Sequence, residues 1–257
     1  PARVTGIAGA IAVAGGSYFT CALFGDQTVR CWGWNHYGQA GDGSTLNVRM
    51  VPVPVSSLTG AVSITAGLHH ACALLSDHSI RCWGYNGYGQ LGDGTTSSRA
   101  TPVAVTGINN AAAIAAGDLH TCAVLSDQTI RCWGYNNAGQ LGNNTTNNSS
   151  TPVAVSGINN AAAIFAKGSH SCALLTDGTA RCWGYNATGQ LGDNSTTNRT
   201  TPVAVNGLAN AASMALGDYH SCALLATGRL QCWGYNASGQ LGDGSTTNRS
   251  TPVEVQP

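Results

Sequence analysis

An all-β fold of five repeated four-stranded modules, set out as the blades of a β-propeller, is what this sequence predicts. Three observations lead there. Ten cysteines fall into five pairs of one spacing, Cys21/Cys31, Cys72/Cys82, Cys122/Cys132, Cys172/Cys182 and Cys222/Cys232. The pairs recur about every 50 residues, a period that belongs to solenoids, propellers and arrays. Each period holds about four short strand-like segments separated by Gly, Asn and Pro turn signals.

The third period shows the elements in order. Thr101-Pro102-Val103-Ala104-Val105 opens it, with valines alternating about Ala104 and the proline at a strand start or edge. Gly107 and Asn109-Asn110 give a turn. Ala111–Ala116 has helix propensity, but Gly107 and Gly117 bracket it within about two helical turns. Its equivalent Ala61-Val62-Ser63-Ile64-Thr65-Ala66 is β-branched and alternating, so the run is a strand. His120–Leu125 and Thr129–Tyr135 then flank Ser126-Asp127-Gln128, a hairpin whose three-residue loop commonly ends in a left-handed residue. Gly178 and Gly228 fill that last loop position in later copies, and Gln27, His78 and Gln128 fill it elsewhere.

Pairing about Asp127 sets Cys122 opposite Cys132 and His120 opposite Gly134. The same symmetry sets Cys21 opposite Cys31 and Phe19 opposite Gly33. Opposed cysteines on one face lie within bonding reach, whereas a helix would hold residues ten apart at about 15 Å. Metal knuckles want two to four residues between cysteines and a second pair to complete four ligands. Here nine residues intervene and each period supplies two, so the expectation is one disulfide per blade, in an oxidising compartment.

Asn136–Ser150 is expected to be a long polar surface loop leading to the next period. The repeats run 1–51, 52–101, 102–151, 152–201 and 202–251 of a single propeller domain, with 252–257 an extra terminal strand. In a closed ring that copy contests one seat with Pro1–Val4. The alternatives are an open excerpt of a larger ring and a strand that docks on a neighbouring chain. Because Pro1 already lies inside a repeat, a leader or preceding domain is expected upstream.

Gly117-x-x-His120-Thr121-Cys122-Ala123-Val124-Leu125, followed by Asp127 and Cys132-Trp133-Gly134-Tyr135-Asn136-x-x-Gly139-Gln140-Leu141-Gly142, resembles the repeat of the regulator of chromosome condensation family. Copies run from Gly67 to Gly92, Gly168 to Gly192 and Gly217 to Gly242. A divergent one spans Gly16 to Gly41, with Phe19, Trp34 and Ala40 replacing His, Tyr and Leu. The resemblance implies a propeller of four-stranded blades. It carries two functional precedents: a nuclear founder with seven blades that promotes guanine nucleotide exchange and binds nucleosomes, and secreted bacterial inhibitors that clamp β-lactamases through one loop face. Paired cysteines and the absence of a basic tail set this chain apart from the nuclear member.

His70, His120, His170 and His220 occur once per period, each with a glycine opposite, and are expected to be packed structural histidines. Trp32, Trp83, Trp133, Trp183 and Trp233 recur beside a cysteine and belong to packing between blades rather than to a sugar ladder. Asp42, Asp93, Asp193 and Asp243 supply one carboxylate per loop, too few for calcium, so turn chemistry is their role. No catalytic set, metal or cofactor is expected. Sequons at Asn143, Asn144, Asn147, Asn148, Asn186, Asn194, Asn198, Asn236 and Asn248 are candidate glycosylation sites.

Charged residues make up 9% of the 257, with 11 basic against 11 acidic. No positive field is available to hold phosphates, so no nucleic-acid partner is expected. No apolar run approaches a membrane span. The expectation is a non-enzymatic extracellular or cell-surface (or periplasmic) protein, serving structural assembly through its terminal strands or protein–protein interaction. A soluble secreted inhibitor and a nucleotide exchange factor are the alternatives. Recognition is expected in loop residues such as Tyr37, Tyr88 and Asn147.

Overall fold

The computed structural model describes residues 4–5 and 7–256, and every regular element among them is a strand. The first sheet is β1 (Ala10–Gly15), β2 (Phe19–Phe24), β3 (Val29–Trp34) and β4 (Val48–Pro54). The second is β5 (Ala61–Ala66), β6 (His70–Leu75), β7 (Ile80–Gly84) and β8 (Arg99–Ala104). The third joins β9 (Ala111–Ala116), β10 (His120–Leu125), β11 (Ile130–Gly134) and β12 (Ser149–Ala154). The fourth holds β13 (Ala161–Lys167), β14 (His170–Leu175), β15 (Ala180–Gly184) and β16 (Arg199–Ala204), and the fifth β17 (Ala211–Leu216), β18 (His220–Leu225), β19 (Leu230–Gly234) and β20 (Arg249–Glu254). Each sheet is a meander in chain order. The chain divides into two compact units. One comprises Pro1–Ser126, Trp133–Tyr135 and Asn148–Pro152; the other Asp127–Cys132, Asn136–Asn147 and Val153–Pro257.

The central hairpin has the register its sequence symmetry demands. Cys72 pairs with Cys82 and His70 with Gly84, Cys172 with Cys182, and Cys222 with Cys232. Phe19 faces Gly33 and Cys21 faces Cys31. The loop end is left-handed whatever residue fills it, with φ of 65° at Gln27, 66° at His78 and 63° at Gln128, and 76° and 82° at Gly178 and Gly228.

Four bridges join cysteines with Cα atoms 4.0–4.1 Å apart. Cys122 and Cys132 are disulfide-bonded as well, and no cysteine is free among the described residues. Each bridge closes a loop of sequence separation 10, which in the chain-entropy model stabilises by about 2–3 kcal/mol. Replacing Cys172 and Cys182 together by alanine is therefore expected to lower unfolding free energy by that amount in urea melts. An unchanged midpoint would show that the bridge merely decorates a hairpin already fixed.

Blade boundaries differ from the periods read in the sequence. The Pro-Val segment that opens the later periods (Val51-Pro52-Val53, then Thr-Pro-Val) is the outer strand of the preceding sheet: β4, β8, β16 and β20 pair with β3, β7, β15 and β19. Thus the copy at Thr251–Val255 is not surplus. Gln231 faces Glu254 and Cys232 faces Val253, completing the fifth sheet. The physical reason is that the central hairpin leaves one edge of its second strand unpaired. The register shifts between Cys232 and Gly234, opposite the stretch where Pro252 has no N–H to offer. Of the contested segment Pro1–Val4, Pro1, Ala2 and Arg3 lie outside the described residues.

Successive sheets are locked by one recurring joint. Trp83, Trp133, Trp183 and Trp233 are fully buried, and each indole N–H donates at 2.9 Å to the backbone carbonyl of Gln39, Gln90, Gln140 or Gln190 in the preceding repeat. The Thr121 and Ser221 hydroxyls donate to the same carbonyls of Gln90 and Gln190, both at 2.9 Å. Those hydroxyls in turn stand 2.9 Å and 3.0 Å from Nε2 of His70 and His170. A hydroxyl that has spent its proton on a carbonyl can only accept from the ring, so each imidazole is neutral with its proton on Nε2. Burial pushes the pKa of both histidines down to about 3. Gly67 and Gly84 make the room, since a Cβ on Gly67 would stand 2.3 Å from His70 Cε1 and one on Gly84 2.5 Å from the His69 carbonyl. Leu74 and Ile80 then pack with Ala111, Leu125 and Trp133, as Leu174 and Ala180 do with Ala211, Met214 and Trp233.

Candidate protein-binding surface

The segment after the Trp-Gly of each hairpin, expected to be wholly a surface loop, is half core. Asn35, Asn86, Asn136, Asn186 and Asn236 are fully buried, and so are Leu91, Leu141, Leu191 and Leu241. Each asparagine staples its own loop. Asn86 Nδ2 donates to the Thr95 and Ser97 carbonyls, both at 3.1 Å, and its Oδ1 accepts the Leu91 N–H at 2.9 Å. Satisfying these backbone groups internally lets the leucine insert.

The acidic residues do turn work. Asp93 accepts from Thr95 N and Oγ1 at 3.0 and 2.7 Å and from Arg99 Nε at 2.9 Å. Partial burial opposes its ionisation, yet these bonds win and hold its pKa below the usual carboxylate value. Asp193–Arg199 and Asp243–Arg249 repeat the pair, and Asp42–Arg49 is its counterpart in the first repeat. Where Asn143 removes the charge, Ser149 stands in place of the arginine. Among the described residues no group of three His, Cys, Asp or Glu side chains is placed to hold a metal ion. His120 is fully buried and His220 half-buried.

These stapled loops also carry half-buried aromatic rings. In the first unit the residue after each hairpin glycine is Trp34, Tyr85 or Tyr135, whose N–H is tied to the Tyr18, His69 or Leu119 carbonyl at 2.8–2.9 Å. Tyr37 and Tyr88 follow three residues on, their N–H groups bonded to Gln39 and Gln90 Oε1 at 2.9 and 3.0 Å. The rings form one band. Trp34 lies 5.0 Å from His69 and 5.4 Å from Tyr37, Tyr37 lies 4.7 Å from Tyr85, Tyr85 lies 6.2 Å from Tyr88, and Tyr88 lies 4.8 Å from Tyr135. Tyr18, 73% exposed, stands edge-on to Trp34. Val48 pairs with Trp34 across β3–β4 and continues the band to Met50, 91% exposed, on a strand whose counterparts carry Ala, Ser and Thr. Partial burial raises the Tyr85 pKa and lowers that of His69, leaving both uncharged at neutral pH. The second unit has a smaller group, Tyr185, Tyr219 and Tyr235, with centroids 6.2 and 6.4 Å apart.

Tyr37 and Tyr88, singled out in the sequence, thus lie in the band, and Asn147 is exposed in its own loop. Tyr18, Trp34, His36, His69, Tyr85 and Tyr135 were not picked out. The signal was there, since an aromatic follows Trp-Gly in all five copies. Asn186 and Asn236 must leave the set of glycan acceptors, because each is fully buried with Nδ2 bonded to two loop carbonyls.

Five copies of the regulator of chromosome condensation (RCC1) repeat match residues 28–74, 77–124, 132–174, 177–224 and 227–257. The chain therefore belongs to the RCC1 repeat family, and its fold class is the RCC1-type β-propeller with five four-stranded antiparallel blades. Human WBSCR16 superposes with a TM-score of 0.84 at 23% identity, over 95% of this chain and 67% of that one. Prp20p from Saccharomyces cerevisiae, described with its binding to Gsp1p and histones, gives 0.83 at 21% identity over 96% and 63%. The human E3 ubiquitin-protein ligase HERC2 is 38% identical over 97 residues, 37% of this chain and 2% of that protein. This chain thus spans a small part of the curated relative it matches.

Proposed function

We propose that this chain is a non-enzymatic, exported interaction module that recognises a protein through the band around Trp34, Tyr37, Tyr85, Tyr88 and Tyr135. The observation that carries this reading is the band itself, a continuous aromatic run on a surface otherwise rich in Asn, Ser, Thr and Gly. Aromatic residues offer large contact area at low entropic cost and dominate interface energetics. Such a patch on a single chain marks an interaction site. The balance of 11 basic and 11 acidic residues favours a protein over a nucleic acid. Kinship with Prp20p, described as binding Gsp1p and histones, supports protein recognition. The ligase named for HERC2 lies in a protein of which the match covers 2%, so the reading assigns recognition rather than transfer chemistry to these repeats. Disulfide-bonded cysteines favour an oxidising compartment, and the exposed sequons Asn144, Asn147, Asn148, Asn194, Asn198 and Asn248 suit a glycosylated surface. The surplus-strand route to assembly loses its basis, because that strand is seated in the fifth sheet.

The test is a photo-crosslinking residue at Tyr88, with a control at Asn147. A protein captured at Tyr88 alone is purified, and its affinity is measured for the native chain and for Tyr37→Ala/Tyr85→Ala. Loss of about 2 kcal/mol or more with unchanged melting is expected. Equal affinity would move the interface elsewhere.

A further inference from the structure

The aromatic band contains one notch built twice. Trp34 and Tyr37 stand edge to face in the first repeat, 5.4 Å apart with their planes at 82°, and Tyr85 and Tyr88 repeat the arrangement in the second at 6.2 Å and 80°. The same staple holds both: Asn35 Oδ1 accepts the Ala40 N–H at 2.8 Å and Asn86 Oδ1 the Leu91 N–H at 2.9 Å. In the later repeats Ala138, Thr188 and Ser238 take the place of the second ring, so the notch is confined to the first two. Tyr37 and Tyr85, 4.7 Å apart and tilted at 44°, join one notch to the next. That junction puts the notch centres about 10 Å apart at most, which accommodates the ~9 Å turn of a polyproline II helix.

Charge and hydrogen bonding narrow the occupant. The arginines of these two loops are already engaged, Arg49 with Asp42 and Arg99 with Asp93. The band is thus uncharged and offers a charged peptide no complementary field. Its polar tips are Trp34 Nε1 and the hydroxyls of Tyr37, Tyr85, Tyr88 and Tyr135. None has a partner among the described residues, and none is a buried orphan, so these donors face solvent. An ordinary extended peptide laid on these rings brings one N–H per residue that the ring faces leave unsatisfied. Proline brings a carbonyl, no N–H and an apolar ring. A proline-rich chain is also ordered before it binds, so aromatic-lined surfaces take it at low entropic cost.

We infer that the band's ligand is a proline-rich segment of a partner protein in the polyproline II conformation. Prolines one turn apart sit in the Trp34/Tyr37 and Tyr85/Tyr88 notches, and the segment's carbonyls accept from Trp34 Nε1 and the tyrosine hydroxyls. The inference rests on the reading of the band as a protein-recognition surface and names the chemistry of its partner.

Fluorescence anisotropy of labelled decaproline titrated with the native chain tests it, with a Gly-Ser peptide of equal length as control. Saturable binding of decaproline and none of the Gly-Ser peptide is expected. Tyr37→Ala and Tyr88→Ala each open a notch and are expected to weaken binding by about tenfold or more. Trp34→Phe keeps the apolar edge, removes the indole donor and is expected to weaken binding by about fivefold. Asn147→Ala is expected to bind as the native chain does, and unchanged melting of every variant verifies folding. No saturation up to about 1 mM, equal binding of both peptides, or notch variants that bind like the native chain would overturn the inference. Should decaproline fail while the protein captured at Tyr88 still loses affinity with Tyr37→Ala/Tyr85→Ala, recognition by the band stands and the proline-rich ligand falls.

Discussion

Acidification from pH 7.5 to 4.5 is expected to strip this protein of stability well before its carboxylates protonate. His70 and His170 are fully buried with folded-state pKa values of about 3, against about 6.5 when unfolded. A depressed pKa means the unfolded chain binds the proton first. The contribution is therefore fully present above pH 6.5 and is lost as pH falls from there toward 3. Within that window each histidine removes about 1.4 kcal/mol per pH unit, so the pair costs about 4 kcal/mol at pH 5. That is a large share of the 5–15 kcal/mol typical of folded domains. The neighbouring rings His69 and His220 add to the penalty by charge repulsion. The aspartates act in a separate, lower window: their folded pKa values are depressed, so their share disappears only below about 3.8. Urea melts at half-unit steps would resolve the two. His170→Gln, which cannot titrate, is expected to flatten the slope between pH 6.5 and 4.5. A native chain already flat there would mean that the rings are hydrated in the folded state.

Trp133→Ala is expected to cost about 3–5 kcal/mol, the range for removing a buried aromatic side chain. The ring is fully enclosed with Leu74, Ile80, Val105 and Leu125. Its loss also takes one of two donors from the Gln90 carbonyl, leaving only Thr121. Trp133→Phe separates the contributions, keeping most of the apolar contact and forfeiting the N–H bond, worth about 1 kcal/mol. Tyr18→Ala serves as the surface control, with an expected change of about 0.5 kcal/mol or less. If alanine at 133 were tolerated as well as alanine at 18, the joint would be a consequence of the stacking of sheets and not its cause.

The divergent first repeat shows why some of this was legible in the sequence. The register that opposes Cys21 to Cys31 also opposes Phe19 to Gly33, so a single symmetry about the loop fixes both. It could be read because the interacting residues lie within fifteen positions of one another. The asparagine after Trp-Gly was harder. Asn86 looks like any loop asparagine until its nitrogen is seen bonded to carbonyls nine and eleven residues away. The aromatic band was harder again, since Tyr37 meets Tyr85 and Tyr88 meets Tyr135 across repeats, by distances no spacing reveals.

Strand identity, hairpin register, cysteine pairing and the repeat family were thus determined by the sequence, because each rests on contacts within one hairpin or on a pattern repeated five times. Which sheet each Pro-Val strand joins, the proton position on His70 and the enclosure of Trp133 were decided by the tertiary structure alone. The physical reason is that identical repeats carry identical side chains, whereas burial depends on whether a neighbouring sheet is there to cover them.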